Sequence, residues 1–179
     1  MKSVFIFIVL LQTMLYNTAL FAETPQDLFI AVIQGKQQRV QNILMQGIDV
    51  NTPIASGRTA LMAAAYSGNF RIAKLLLTYG ANVNLSDKQG TTALMDAIIF
   101  GDQRIVKLLV TAGAEVNAAN AQGDGALEIA KKIGRKQLQK LLQSAGAKEQ
   151  VRETAKKEAD APQKEPAQDK AAKTDTQAE

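Results

Sequence analysis

The sequence predicts an all-α solenoid of four turn-helix-helix repeats, and three observations carry that expectation. Glycine recurs at a strict step of 33 residues, in the columns Gly35, Gly68, Gly101, Gly134 and Gly47, Gly80, Gly113, Gly146, with Gly57, Gly90, Gly123 as a third. Apolar columns keep the same step: Leu28, Leu61, Leu94, Leu127, and the small residues Ala31, Ala64, Ala97, Ala130. In the second helices of the first and last copies, polar residues take the place of apolar column residues. Insertions and deletions accumulate in the loops of ordinary domains, so gap-free columns imply stacked copies of one supersecondary unit.

The 179 residues divide into three zones. Residues 1–22 begin with Lys2 and the apolar run Val4 to Leu11 and end on Ala22. A positive charge, a short apolar core and a small residue at the end describe a secretory signal peptide. Cleavage is expected after Ala22, with Ala19 as the alternative point, and export would place the chain in the periplasm or outside the cell. The rival reading, a retained membrane anchor, is weakened by Gln12, Thr13, Asn17 and Thr18, which leave the run short of the roughly 20 apolar residues of a spanning helix. Residues 148–179 have Val151 as their one branched aliphatic residue and lack aromatics. Such a Lys/Glu/Ala-rich segment buries too little apolar surface to offset its ordering entropy and reads as a disordered tail.

Between these, residues 23–147 hold the repeats, at about 24–51, 52–84, 85–117 and 118–147. In the second copy a turn at Gly57 leads into a short helix with Thr59 as its cap and Gly68 at its end. A second helix follows with Ile72, Leu75 and Leu76 on its apolar face, and Gly80 stands where a left-handed residue closes it. Ala81 and Val83 lead to the next turn. At the ends, Arg39 and Asn42 replace the column residues Ile72 and Leu75, while Gln139 and Gln143 replace Val106 and Val110. Polar residues are tolerated in those columns where no neighbour covers the face, so both mark the ends of the stack. The column Val50, Val83, Val116 fails at Glu149.

Thirty-three residues, a Thr-x-Leu entry into the first helix (Thr59-Ala60-Leu61, Thr92-Ala93-Leu94) and a closing Gly-Ala-x-Val-Asn (Gly80 to Asn84, Gly113 to Asn117) resemble the ankyrin repeat. The family's Thr-Pro-Leu-His becomes Thr59-Ala60-Leu61-Met62 and Thr92-Ala93-Leu94-Met95 here. The missing Pro and His imply somewhat looser turn geometry on the same fold. The resemblance implies that partners meet the turn tips and the exposed side of each first helix. Carried over position by position, that gives Ser56, Arg58, Lys88 and Gln89 from the tips, and Ile33, Tyr66, Ile99, Phe100, Lys132 and Ile133 from the first helices.

Ile33, Tyr66 and Ile99 share one column and Phe100 and Ile133 the next. Facing outward they form an apolar ladder of the kind that marks interaction sites; the alternative is that they lean into the junctions between helices as core. Asp96 and Glu128 stand alone on separate helices and are expected to be solvated. Asn84-Leu85-Ser86 fits a glycosylation acceptor, but Asn84 belongs to the turn column of Asn51 and Asn117.

Histidine and cysteine are absent, which removes disulfides, Cys–His and Ser–His–Asp chemistry and the two commonest zinc ligands. No cofactor and no metal are expected. The net charge of +4 comes from the repeats, where thirteen Lys/Arg face nine Asp/Glu. The excess lies in the last copy, at Lys131, Lys132, Arg135, Lys136 and Lys140, which reads as the solvated end of a solenoid. Without interleaved aromatics it lacks the stacking platform of a nucleic-acid site. The function expected is a non-catalytic, monomeric protein-interaction module that meets another exported protein. The other reading is an envelope-attachment protein held by the basic last repeat and the Lys-rich tail.

Overall fold

The structure, a computed structural model, describes residues 23–148 and places four helix pairs there. They are α1 (Pro25–Ile33) with α2 (Gln37–Met45), α3 (Ala60–Tyr66) with α4 (Phe70–Thr78), α5 (Ala93–Phe100) with α6 (Gln103–Thr111), and α7 (Ala126–Lys132) with α8 (Lys136–Ser144). The first helices α1, α3, α5 and α7 pack one on the next, and the second helices α2, α4, α6 and α8 do the same. The result is a two-layered stack. The signal segment expected at 1–22 and, beyond Lys148, the expected tail lie outside the described residues. Among the described residues no helix is long and apolar enough to cross a membrane.

The core follows the columns. Leu28, Leu61, Leu94 and Leu127 are buried, as are Ala31, Ala64, Ala97 and Ala130, where a small side chain lets neighbouring first helices approach. Ile43, Leu76, Leu109 and Leu142 make the matching column of the second layer. Each large aliphatic side chain buried in this way is worth roughly 1.5–3 kcal/mol. At the ends, Arg39, Asn42 and Gln143 are exposed, and Gln139 is half-buried with its amide donating to the Ala130 carbonyl at 3.1 Å. Arg39 reaches Glu23 at 3.4 Å and Asp27 at 3.7 Å.

Threonine starts the first three repeats. The hydroxyls of Thr24, Thr59 and Thr92 accept the backbone N–H three residues on, from Asp27, Met62 and Met95. At Thr59 the returning bond of the capping box is supplied by the Met62 thioether, which accepts from the Thr59 N–H at 3.5 Å. Thr59 (φ −95°, ψ 164°) and Thr92 (φ −100°, ψ 165°) hold matching extended caps, in which the threonine side chain supplies an acceptor for the helix start.

An asparagine ladder ties successive copies together. Asn51 donates to the Gly80 carbonyl at 3.2 Å and accepts from the Asn82 N–H at 2.7 Å. Asn84 repeats this with Gly113 and Glu115, and Asn117 with Gly146 and Lys148. Asn84 therefore has a structural task at the junction, as its column position implies.

Candidate functional site

The turn tips are tight hairpins. The Arg58 carbonyl accepts from Ile54 N–H, Thr91 from Asp87, and Asp124 from Asn120, all at 3.0 Å. The Asp87 carboxylate folds its own turn by accepting from the N–H groups of Gln89 and Thr91, each at 2.9 Å, and Asn120 does the same in the next tip. Neighbouring tips touch through backbone: Lys88 N–H donates to Ser56 at 3.5 Å and Ala121 N–H to Gln89 at 2.8 Å. Ser56, Lys88 and Gln89 are exposed along this edge.

The first helices place the apolar ladder on the surface. Relative exposure is 54% at Ile33, 57% at Tyr66, 44% at Ile99, 48% at Phe100 and 44% at Ile133. Each lies at the C-terminal end of its helix or just beyond, where the stripe facing the next layer has rotated away. Phe29, Ile33, Ala63, Tyr66 and Ser67 line a groove of about 500 Å³ between the first two repeats, with Arg58 on its wall. Phe100 also covers the preceding junction: Gly68 has φ +67°, and a Cβ there would fall inside the Phe100 ring. The next junction is covered differently, by the Arg135 guanidinium lying over Gly101.

Arg58 is more than an exposed tip residue. Its Nη2 donates to Asp96 Oδ2 at 2.6 Å, its Nη1 to Asp87 Oδ2 at 3.4 Å, and its Cζ lies 5.9 Å from the Tyr66 ring centroid. Its side chain is 25% exposed. One guanidinium thus bridges two buried carboxylates of the third repeat and an aromatic of the second. Asp96, expected to be solvated, is 2% exposed. Burial pushes its carboxyl up to about 6; the charge and hydrogen bond of Arg58 oppose this, and the nearby Asp87 adds to it. The rest of the Asp96 column, Ile30, Ala63 and Ile129, is apolar, a signal in register that its own residue type does not give.

Position 132 is the fourth member of the Tyr66 column, and there the same tip-to-helix contact is made by an ion pair: Lys132 Nζ donates to Asp124, which occupies the register position of Arg58. Lys132 is nonetheless exposed. The second layer carries a parallel contact, with Arg104 5.6 Å over Phe70 and paired to Asp102 at 2.7 Å. Among the described residues no group of three acidic, His or Cys side chains could hold a metal ion.

The family model described as ankyrin repeats (3 copies) matches residues 28–120, just over half of the chain. No curated protein matches the chain. The matched span takes in members of all three glycine columns, the Thr59 and Thr92 caps and the helices α2 to α6, and the chain belongs to the ankyrin-repeat family.

Proposed function

We propose that this protein is a non-catalytic interaction module of the periplasm or cell exterior, and that it holds a protein partner on the face made by its tips and first helices. Ankyrin repeats are in general protein-interaction modules. The observation that carries the reading is that five of the eight exposed large apolar side chains among the described residues, Ile33, Tyr66, Ile99, Phe100 and Ile133, lie at the ends of successive first helices; Ile30, Met45 and Tyr79 are the other three. Contiguous apolar exposure on a soluble domain marks an interaction surface, and tyrosine is among the residue types that anchor interfaces. A stack already fixed by its asparagine ladder and caps loses little entropy on docking. Scaffolding of another exported protein and inhibition of one are both outcomes of such binding. The test is affinity capture from envelope extract with the chain as bait, alongside a variant lacking residues 148–179. Capture of one protein by both supports the reading; no specific capture by either overturns it.

The second reading, attachment to the envelope, is favoured by the exposed cations Lys131, Lys132, Arg135, Lys136 and Lys140 of the last repeat. Retention on anionic envelope material that vanishes at moderate salt supports it, whereas salt-tolerant capture of a protein supports the first.

A further inference from the structure

The tips and first helices of repeats two to four carry charge unevenly. Their four carboxylates, Asp87, Asp96, Asp124 and Glu128, are buried or half-buried, whereas Lys88, Lys131 and Lys132 are exposed. Repeats are copies of one unit, so nothing in the fold forces acids inward and cations outward on this face. The acids serve the structure, in the Asp87 turn, the Arg58–Asp96 bridge and the Asp124–Lys132 pair. Lys132 is held by Asp124, while Lys88 and, beyond the last first helix, Arg135 are also exposed.

The cations also stand on both edges of the apolar ladder. On the tip edge, Lys88 lies against Gly57, beside Arg58. On the opposite edge, where each first helix turns into the second, the Arg135 guanidinium sits over Gly101 and donates to the Phe100 carbonyl at 3.4 Å. Between those edges run Tyr66, Ile99 and Phe100. Packed helices lie about 8–10 Å apart, so the rungs are spaced close to the rise of two helical turns, the distance between same-face residues seven apart on a helix.

We propose that the ladder receives an acidic amphipathic segment of a partner protein, its large apolar side chains seated on Tyr66, Ile99 and Phe100 and its carboxylates reaching Lys88 on one edge and Arg135 on the other. This rests on the reading of the face as a protein-interaction surface and names the chemistry that face selects. Apolar contact supplies the affinity; the flanking cations reject basic or neutral segments of the same shape and raise the rate of encounter with acidic ones.

The test uses the full chain and three synthetic helical peptides, followed by fluorescence anisotropy at low ionic strength. One carries leucine at every seventh position with glutamate between, the second replaces glutamate by lysine, and the third keeps glutamate but replaces leucine by serine. The acidic leucine peptide is expected to bind at least about tenfold more tightly than either of the others. Lys88→Glu with Arg135→Glu reverses the charge preference, and Tyr66→Ala with Phe100→Ala weakens the acidic peptide by about tenfold or more, both with unchanged helical circular dichroism. Equal binding of the acidic and basic peptides overturns the proposal. So does equal binding of the serine peptide, which would mean a general polyanion surface. A dimer in sedimentation that Phe100→Ala dissolves, or binding to phosphatidylglycerol vesicles with none to peptide, would give the ladder to a second copy or to lipid and overturn it too. If native capture is lost with Tyr66→Ala and Phe100→Ala but indifferent to the charge reversal, the interaction face stands and its acidic preference falls. If neither variant affects capture, both fall.

Discussion

Arg58 Nη2 donates to Asp96 Oδ2 at 2.6 Å across the boundary between the second and third repeats. The same guanidinium reaches Asp87 and lies over Tyr66, so a single side chain ties the interior of one junction to the exposed ladder. Arg58→Ala leaves two neighbouring carboxylates in a buried site without their cation. Breaking a buried pair costs about 3–5 kcal/mol, and because a quarter of Arg58 meets solvent the loss is expected nearer 2 kcal/mol. Urea unfolding near neutral pH measures it; a midpoint equal to that of the unaltered chain contradicts this account of the junction.

Asp96 makes stability depend on pH in a defined direction. Its carboxyl stands at about 6 in the folded chain against an ordinary 3.8, so the folded state binds that proton more tightly than the unfolded one. Between about pH 4 and pH 6 the folded chain keeps the proton that the unfolded chain has lost, and this group's contribution to stability falls as pH rises through that window. The full swing is on the order of 2–3 kcal/mol. Asp27, held low by its bonds with Thr24, and Asp102, held low by Arg104, act in the opposite sense: their stabilisation is present above the ordinary carboxylate range and is lost as pH falls through their lowered values. The check is therefore a difference. Unfolding free energy of the unaltered chain minus that of Asp96→Asn falls across the window and is level above it; parallel profiles contradict the assignment.

Gly68 and Gly80 separate two costs. Both have positive φ, +67° and +83°, but only Gly68 has a neighbour, the Phe100 ring, where a Cβ would go. Gly80→Ala carries the left-handed penalty alone, about 1 kcal/mol. Gly68→Ala adds displacement of Phe100 and is expected to cost about 2 kcal/mol. In the Phe100→Ala background the Gly68 cost falls back to that of Gly80. Additive effects of Gly68→Ala and Phe100→Ala would contradict the contact.

Asn84→Ala removes two bonds between the second and third copies, to the Gly113 carbonyl at 3.1 Å and from the Glu115 N–H at 2.8 Å. A loss of about 1–2 kcal/mol in thermal or urea unfolding is expected, matched by Asn51→Ala. A loss at Asn84 with none at Asn51 would mean the ladder is not a repeated device.

The register of Leu28, Leu61, Leu94 and Leu127 and the left-handed Gly80 were legible in the sequence because both follow from backbone geometry that every copy repeats. The outward direction of Tyr66 and Phe100 was open, since column spacing leaves side-chain direction undetermined. Asp96 was misjudged because a lone carboxylate on a helix is ordinarily solvated; its partner, Arg58, lies thirty-eight residues away in another copy. Pairing across a junction between unlike residues breaks the repeat's symmetry, and periodicity is blind to it. The apolar company of Ile30, Ala63 and Ile129 in its column was the available signal.

The central claim is that the outward ladder holds a partner while the stack beneath it stands alone. The direct measurement is recovery of captured protein by Tyr66→Ser with Phe100→Ser beside the unaltered chain, with thermal midpoints recorded for both. Recovery is expected to fall about tenfold or more while the midpoint shifts by only a few degrees. Undiminished recovery, or a loss that merely follows unfolding of the variant, contradicts it.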